Sequence, residues 1–350
     1  MTNKEIKELI KKVSNSLKNT KNTSVDEVCK IGIIDIENWE WAQGVGIFGL
    51  YKYALMTNDT EELSWLENWI DTNIEKGLPE KNINTTAPLL TVAAMETNNK
   101  SGKYTKLLEE WAEWIITSLP KTKFGGFQHV VSDGANYMQL WDDTLFMTVL
   151  FLAQMGLLKN KKEYLKECEY QFLLHTNYLQ DRKTGLWYHG WTFDGNHNFA
   201  TALWGRGNSW ITAFIPEYLE MTDDCEIKEF MLTVLNAQVE ALEKYQDESG
   251  LWHTLIDDEN SYLEVSASAG FAYGILKGIR TGVLDEKYRK TAMKAVEGVI
   301  KNIADDGTVL NVSYGTGMGE TLQAYRDIPI CPMTYGQALV IMMLTELMKF

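Results

Sequence analysis

The sequence has few of the features that mark metal proteins, membrane proteins and secreted proteins. It contains four cysteines, Cys29, Cys168, Cys225 and Cys331, and no two of them have metal-site spacing. No apolar run reaches the roughly 20 residues needed to span a bilayer. The N-terminal segment is a charged amphipathic helix pattern rather than a signal peptide. We therefore expect reduced thiols, a cytoplasmic protein, and no metal or cofactor.

Basic residues are also scarce, with 33 Lys and Arg against 48 Asp and Glu, for a net charge of −15. Nucleic acids and anionic membrane surfaces require a basic face, so neither is expected as a partner. Aromatic residues, in contrast, are abundant: 12 Trp and 16 Tyr exceed what the core requires, and many lie in polar motifs. They could stack on sugar rings or simply fill the core.

Hydrophobic periodicity predicts twelve helices of two alternating kinds. Helices of the first kind carry Lys and Glu on one face, and they are predicted over 4–18, 61–77, 101–118, 160–177, 225–245 and 285–303. Helices of the second kind have little charge on any face, and they are predicted over 40–56, 86–97, 140–156, 207–221, 266–279 and 335–349. A helix that is apolar on all sides is buried on all sides, so the second set should form an inner ring. The pattern predicts an all-α (α/α)6 barrel, as a single domain over 1–350.

The connections predict where a functional site lies. The long loops, 119–138, 178–204, 246–264 and 304–333, all follow helices of the charged kind and therefore fall at one end of the barrel. They share a pattern of Gly followed by alternating aromatic or β-branched residues, which predicts a tight turn into a short strand. Binding residues collect on loops that a rigid scaffold holds, so we expect the functional face at this end.

Each inner helix begins with a polar motif: ENWEWAQG, NINTTAPLL, YMQLWDDT, LWGRGNSW, EVSASAG and CPMTYGQA. Helix N-termini present unpaired N–H groups and a partial positive charge, so six of them at one end would suit an anion such as a carboxylate. The alternative for any single motif is that its polar residues only cap the helix.

Asp142 and Asp143 form the only adjacent acidic pair at the start of an inner helix. Burial among aromatic residues would raise the carboxyl pKa and favour a general acid, whereas the helix N-terminus would lower it. The sequence leaves that balance open, and a capping Asp with a solvated neighbour is the alternative. Glu40, Asp133 and Glu264 are further acids that could assist.

Arg206 is the only basic residue within the six motifs, and Trp204 and Trp210 lie close to it in sequence. A guanidinium at an uncharged helix start suits a carboxylate, bidentate if the geometry permits, or else forms a structural ion pair. His129 and His189 occupy similar places in the repeated loop pattern. Each could donate to substrate oxygens or shuttle protons, or could be structural.

Six runs together resemble one family: ENWEWAQGVGIFGLY, NINTTAPLL, GGFQH, LWDDTLFMTVLFLA, YHGWTFDG and WGRGNSW. They are similar to the unsaturated rhamnogalacturonyl hydrolases of glycoside hydrolase family 105, from about residue 37 to the C-terminus. The unsaturated glucuronyl hydrolases of family 88 look alike in architecture but match these runs less closely. The resemblance implies an (α/α)6 barrel, in agreement with the helix pattern.

The resemblance also implies a reaction and a set of site residues. The substrate would be a small anionic unsaturated oligosaccharide released by pectin lyases, and the enzyme would hydrate the C4=C5 bond of its terminal uronate and release rhamnose. Asp143 would be the acid/base. The substrate-binding residues would be Trp39, Trp41, His129, Trp141, His189, Trp204, Arg206 and Trp210.

Three other functions fit a barrel of this kind. A glucuronyl hydrolase would act on glycosaminoglycan fragments, and a non-catalytic toroid would bind sugars without turnover. An N-acylhexosamine epimerase would be expected to use paired cleft histidines, of which no convincing pair is visible. The sequence leaves the oligomeric state, the linkage and the chain length of the substrate open.

Overall fold

The computed structural model describes residues 1–21, 35–222 and 225–350, so Cys29 lies outside the described residues. The α-helices of these ranges are α1 (Asn3–Lys18), α2 (Trp41–Thr57), α3 (Thr60–Lys76), α4 (Ile83–Asn99), α5 (Thr105–Thr117), α6 (Leu150–Leu158), α7 (Lys162–Leu179), α8 (Gly205–Met221), α9 (Lys228–Tyr245), α10 (Val265–Arg280), α11 (Arg289–Ile300), α12 (Leu322–Arg326) and α13 (Thr334–Leu347). The short strands are β1 (Gln139–Trp141), β2 (Gly190–Thr192), β3 (Trp252–His253) and β4 (Leu263–Glu264), in the antiparallel pairs β1–β2 and β3–β4.

The helices form two concentric rings. The inner helices α2, α4, α6, α8, α10 and α13 pack side by side into a closed ring. The charged helices α1, α3, α5, α7, α9 and α11 pack outside them. In α13 every residue from Thr334 to Glu346 is buried, as a helix with almost no charge requires. The predicted (α/α)6 barrel is confirmed.

The prediction of a helix over 140–156 is wrong in its first part. Residues Gln139–Trp141 form β1 and pair with Gly190–Thr192, and the chain then makes a π-helical turn over Leu145–Val149 before α6 begins. The backbone N–H and C=O groups of Gln139–Trp141 bond to β2 instead of bonding within a longer helix. Hydrophobic periodicity within one segment cannot reveal this pairing with a distant segment.

The segment after residue 284 also differs from the prediction. The segment predicted over 285–303 is a 3-10 turn over Glu286–Tyr288 followed by α11. The short helix α12 lies within the long loop 304–333, where no helix was predicted.

The repeated glycine turns are confirmed and have a packing role. Gly185, Gly250 and Gly307 have φ of 83°, 93° and 88°, a region that favours glycine. A Cβ at these positions would lie 2.7, 2.1 and 2.2 Å from backbone atoms of α9, α11 and α1, respectively. The turn of each of these hairpins thus packs against the next outer helix, and the last packs against α1.

The first and last helices of the barrel are neighbours. Helix α1 packs against α13, and the Asn3 side-chain amide donates to the Met348 carbonyl at 3.4 Å. The ring is therefore closed by non-covalent contacts between its two ends. Within the described ranges, no helix is long and apolar enough to cross a bilayer.

Candidate active site

A cleft of about 340 Å³ is lined by the N-terminal ends of α2, α4 and α8, by the turn before α6 and by the long loops. This volume lies within the ~300–1,000 Å³ typical of small-ligand sites. The side chains that line it include Trp41, Asn84, His129, Asp133, Asn136, Gln139, Trp141, Asp143, Phe199, Trp204, Arg206, Trp210, Thr316, Met318 and Glu320. The cleft therefore lies at the barrel end where the sequence predicted a functional face.

Asp143 reaches the cleft from the turn between β1 and α6, and its side chain is 17% exposed. Its Oδ1 is buried and accepts no hydrogen bond from the described residues. Burial raises the pKa of Asp143 to about 7, although Arg206 and nearby backbone N–H groups act in the opposite direction. Burial thus has a larger effect on the pKa of Asp143 than the backbone N–H groups at the start of the helix. The sequence alone left this balance open. Near neutral pH this carboxyl can both give and take a proton.

Asp142 is fully buried and lies beside the cleft acid rather than in the cleft. It packs so closely on Gly207 that a Cβ there would lie 2.1 Å from the Asp142 Oδ2. Burial, together with the charge of Asp143, raises the pKa of Asp142 well above its usual range. Both side chains are thus largely shielded from solvent, and the alternative of a capping Asp with a solvated neighbour does not describe this pair.

His129 lines the cleft next to the acid. Its Nδ1 lies 2.8 Å from Thr144 Oγ1 and 3.5 Å from Asp143 Oδ1, and its ring stacks on Trp141 with centroids 4.2 Å apart. Burial, together with His189 and His175, lowers the pKa of His129 well below its usual value. The imidazole is therefore neutral and serves as a hydrogen-bonding group.

His189 lies behind the cleft wall. Its Nδ1 is 2.7 Å from the Tyr325 hydroxyl, and its ring lies 5.1 Å from that of Trp141 and 4.3 Å from that of Trp204. Burial and the charge of Arg206 lower its pKa to about 3. The structure therefore gives His189 a supporting place behind the aromatic wall, whereas the resemblance implied a residue near the substrate.

Tryptophans form much of the cleft wall, but Trp39 is not one of them. Trp41 lines the cleft and stacks on Tyr335 at 4.7 Å. Trp39 instead stacks on Trp69 of α3 at 5.4 Å and donates from Nε1 to the Thr85 carbonyl at 2.8 Å. The prediction of Trp39 as a cleft wall is wrong, because the chain turns at the helix N-cap and sends this ring towards the outer ring.

Arg206 holds the segment 311–333, which we call the strap. Its Nη1 donates to the Ser313 carbonyl at 3.1 Å and to the Ser313 hydroxyl. Its Nη2 donates to the Tyr314 carbonyl at 3.2 Å and to Thr316 Oγ1 at 2.8 Å. These bonds use all four Nη hydrogens and leave only Nε–H. No pair of guanidinium N–H groups stays free for the bidentate carboxylate grip that the sequence suggested.

The guanidinium keeps its charge beside the cleft. Its carbon lies 4.5 Å from the Trp204 ring centre and 4.7 Å from that of Tyr335, a double cation–π arrangement. Its hydrogen-bond acceptors are all neutral oxygens. The positive field of Arg206 therefore stays available to attract an anion.

Two acids that the sequence offered as possible assistants are helix caps. Glu264 caps α10 and accepts a further bond from the Ser313 backbone N–H at 2.9 Å, so it also fixes the strap. Glu40 caps α2 through the Trp41 N–H and accepts from the Ser132 hydroxyl. Both carboxyls connect a helix start to a loop of the cleft.

Some lining residues were missed by sequence reasoning. Phe199, Met318 and Glu320 lie in the two long loops 178–204 and 304–333, where no pattern fixes an orientation. The glycine-rich run YGTGMGE was the one local signal that the backbone there could approach the cleft closely. In the part of the chain that the structure describes, no three His, Cys, Asp or Glu side chains group as metal ligands.

A double helical ring around a tryptophan-walled cleft with a partly buried acid is an architecture that (α/α)6-barrel glycoside hydrolases share. Residues 9–350 match the family model described as Glycosyl Hydrolase Family 88, and the chain belongs to that family.

Several known proteins are similar over most of the chain. The unsaturated rhamnogalacturonyl hydrolase YesR of Bacillus subtilis (strain 168) is 32% identical over 317 residues, 89% of this chain and 90% of that protein. A crystal structure from Salmonella enterica, described as a possible member of the GH105 family, is 45% identical with a TM-score of 0.96, covering 100% of this chain and 95% of that one. An unsaturated glucuronyl hydrolase from Bacillus sp. GL1, with a TM-score of 0.73 at 16% identity over 96% of this chain and 94% of that one, shares the fold.

Proposed function

We propose that this chain is an unsaturated rhamnogalacturonyl hydrolase, which hydrates the C4=C5 bond of an unsaturated galacturonate and releases rhamnose. The observation that carries the proposal is the Asp143 carboxyl, set in the cleft with a pKa raised to about 7. The identity with YesR supports this substrate over a glycosaminoglycan fragment. The cleft acid supports an enzyme over a non-catalytic sugar-binding toroid.

The reaction needs only one acid/base and a water molecule. The protonated Asp143 gives its proton to C4 of the enol ether, and positive charge develops at C5 and the ring oxygen. Water adds at C5 and returns a proton to the Asp143 carboxylate. The resulting hemiketal opens to a ketone at C5, and the hemiacetal thereby formed at C1 expels the neighbouring sugar. One water is consumed, and Asp143 ends in its starting protonation state.

Other cleft residues bind the substrate in this proposal. The rings of Trp41, Trp141, Trp204 and Trp210 offer apolar faces for the sugar. The uronate carboxylate is attracted by Arg206 and by the helix N-termini that meet at the cleft. His129 donates to a sugar oxygen from a neutral ring. His189 supports the wall from behind.

The test is the Asp143→Asn variant assayed on an unsaturated galacturonyl-rhamnose disaccharide. The conjugated double bond absorbs in the ultraviolet, and hydration removes the absorbance. We expect kcat to fall at least ~10³-fold, because the acid is lost while the side-chain shape is kept. The measurement is loss of absorbance together with free rhamnose.

Asp142→Asn is the matched control, with the same chemical change one position earlier. Asp142 is fully buried and does not line the cleft, so its amide should retain activity within about tenfold. Full activity of Asp143→Asn would overturn the assignment of the acid. A wild-type protein that leaves the rhamnose-linked substrate intact but consumes the amino-sugar-linked one would overturn the proposed substrate.

We also propose that the enzyme works in the cytoplasm on small imported fragments. Cys168 and Cys225 are unbridged thiols, which suits a reducing compartment. Fractionation of the producing cells, with activity followed in each fraction, tests this; activity confined to the medium would contradict it.

A further inference from the structure

The charged groups that line the cleft are Asp133, Asp143, Arg206 and Glu320. In the described ranges, Arg206 is the only Lys or Arg among the lining residues. Its four Nη hydrogens are bonded to the strap, and its charge lies at the buried side of the cleft. The cleft thus has one positive charge at its floor and a surplus of carboxylates.

Two of these carboxylates stand at the solvent side. Asp133 and Glu320 are both exposed, whereas the Asp143 side chain is 17% exposed and Arg206 is 1% exposed. No Lys, Arg or His within residues 1–21, 35–222 and 225–350 forms a salt bridge with either exposed acid. Glu40 is an acid near Asp133, and its own pKa is raised by burial and, to a smaller extent, by the charge of Asp133.

The two acids are carried by different loops. Asp133 follows Ser132, and the Ser132 hydroxyl donates a hydrogen bond to Glu40 at the start of α2. Glu320 belongs to the strap, and the neighbouring Gly319 donates its N–H to the Tyr325 hydroxyl at 3.2 Å. Hydrogen bonds anchor both loops beside these residues, so the two carboxylates stay at the mouth of the cleft.

A substrate that reacts at its terminal uronate must place that ring beside Asp143. The sugar that leaves occupies the solvent side, which is where Asp133 and Glu320 lie. We propose that these two carboxylates select a neutral leaving sugar and disfavour one that carries a sulfate or a carboxylate. The inference rests on the proposed function and adds a property of the leaving sugar to it.

Two exposed charges act through water and salt, so we expect a moderate effect of about fivefold to tenfold at low ionic strength.

The experiment compares kcat/KM for an unsaturated uronyl-rhamnose disaccharide and for the same disaccharide sulfated on rhamnose. Both carry the uronate, so the ratio of the two values reports the charge on the leaving sugar alone. The ratio is measured in 20 mM and 500 mM NaCl for the wild type and for the double variant Asp133→Asn, Glu320→Gln. Glu61→Gln, which removes an exposed charge at the far end of the barrel, is the matched control.

We expect the wild type to prefer the neutral substrate at low salt, by about tenfold, and to lose most of this preference at high salt because the charges are screened. The double variant should reduce the preference at low salt at least threefold, and Glu61→Gln should keep it. A wild type that hydrates both substrates equally, or a double variant with an unchanged ratio, overturns the inference while leaving the proposed function intact. Inactivity on both substrates would instead overturn the proposed function.

Discussion

The Asp143 carboxyl shows how one residue is tuned by its surroundings. It follows a strand that pairs with β2 and precedes a π-helical turn, so its carboxyl projects into the cleft instead of capping a regular helix. Desolvation then raises its pKa to about 7 against the pull of Arg206. The identity of the acid could be predicted from the sequence, but the sign of its pKa shift depends on burial supplied by residues far away in the chain.

The pH dependence of the reaction follows from this shift. The protonated carboxyl starts the reaction, so we expect kcat/KM to fall about tenfold per pH unit above a pKa near 7. A profile of kcat/KM between pH 5 and 9 on the unsaturated disaccharide measures it. A limb centred near pH 4 would mean that the acid has an ordinary carboxyl pKa and that the burial argument fails.

The raised pKa of Asp143 also determines how the stability of the fold changes with pH. Because the folded-state pKa of Asp143 is raised above the unfolded value near 3.8, the folded protein binds the proton more tightly. Its contribution to stability is complete below pH 3.8 and is lost as the pH rises through about 7. Between pH 5 and pH 8 the free energy of unfolding, measured with urea, should therefore fall less in Asp143→Asn than in the wild type.

The strap is the element on which the cleft most depends. Its residues from Ser313 to Thr316 are held by Arg206, and Ser313 is also held by Glu264 and by the Tyr335 hydroxyl. Arg206 is 107 positions from Ser313 in sequence, and Glu264 is 49 positions from it. Local patterns do not encode such pairings, which is why the strap was only a long loop in the prediction.

Arg206→Lys tests the strap. A lysine offers one point charge in place of a planar fork, so it cannot hold Ser313, Tyr314 and Thr316 together. We expect KM to rise about tenfold and the strap amides to exchange hydrogen faster, because each lost bond contributes roughly 1 kcal/mol. Thr316→Val removes one of the four bonds and should show a smaller change in both measurements. Unchanged exchange in Arg206→Lys would show that other contacts fix the strap.

The helices themselves were predictable for a simple reason. An inner helix such as α13 is buried on nearly every face and carries little charge, whereas an outer helix such as α1 keeps one wet face. These rules act within a single segment. The β1–β2 pair and the π-helical turn depend on contacts between segments, and there the prediction of a helix over 140–156 was wrong.

In the whole molecule, the cleft and a network of buried ion pairs lie at opposite ends of the barrel. The far end of the inner ring contains Lys277, 1% exposed, with Glu217 at 3.2 Å and Glu220 also paired to it. Lys52 pairs with the same Glu217 at 2.8 Å. This network joins α2, α8 and α10 and is far from the residues that line the cleft.

Lys277→Met should therefore destabilise the barrel without altering the chemistry. Removal of Lys277 leaves Lys52 as the partner of the buried Glu217 and Arg280 as the partner of Glu220, so we expect a loss of about 1–3 kcal/mol. Chemical denaturation measures the loss, and kcat of the folded fraction should stay close to that of the wild type. Lys301→Met, at an exposed position, is the control and should be nearly neutral. A large fall in kcat for Lys277→Met would show that the two ends are coupled.

Because α1 and α13 are in contact, the chain could begin at a different hairpin without changing the order of the hairpins around the ring. Asn3 lies within hydrogen-bonding distance of Met348, so a short peptide can join the two ends. A circular permutant opened in the short connection between α6 and α7, at the exposed Asn160, should then fold to the same barrel. Its activity on the unsaturated disaccharide should match that of the parent, because every cleft residue keeps its neighbours. An inactive but folded permutant would show that the original chain ends help to shape the cleft.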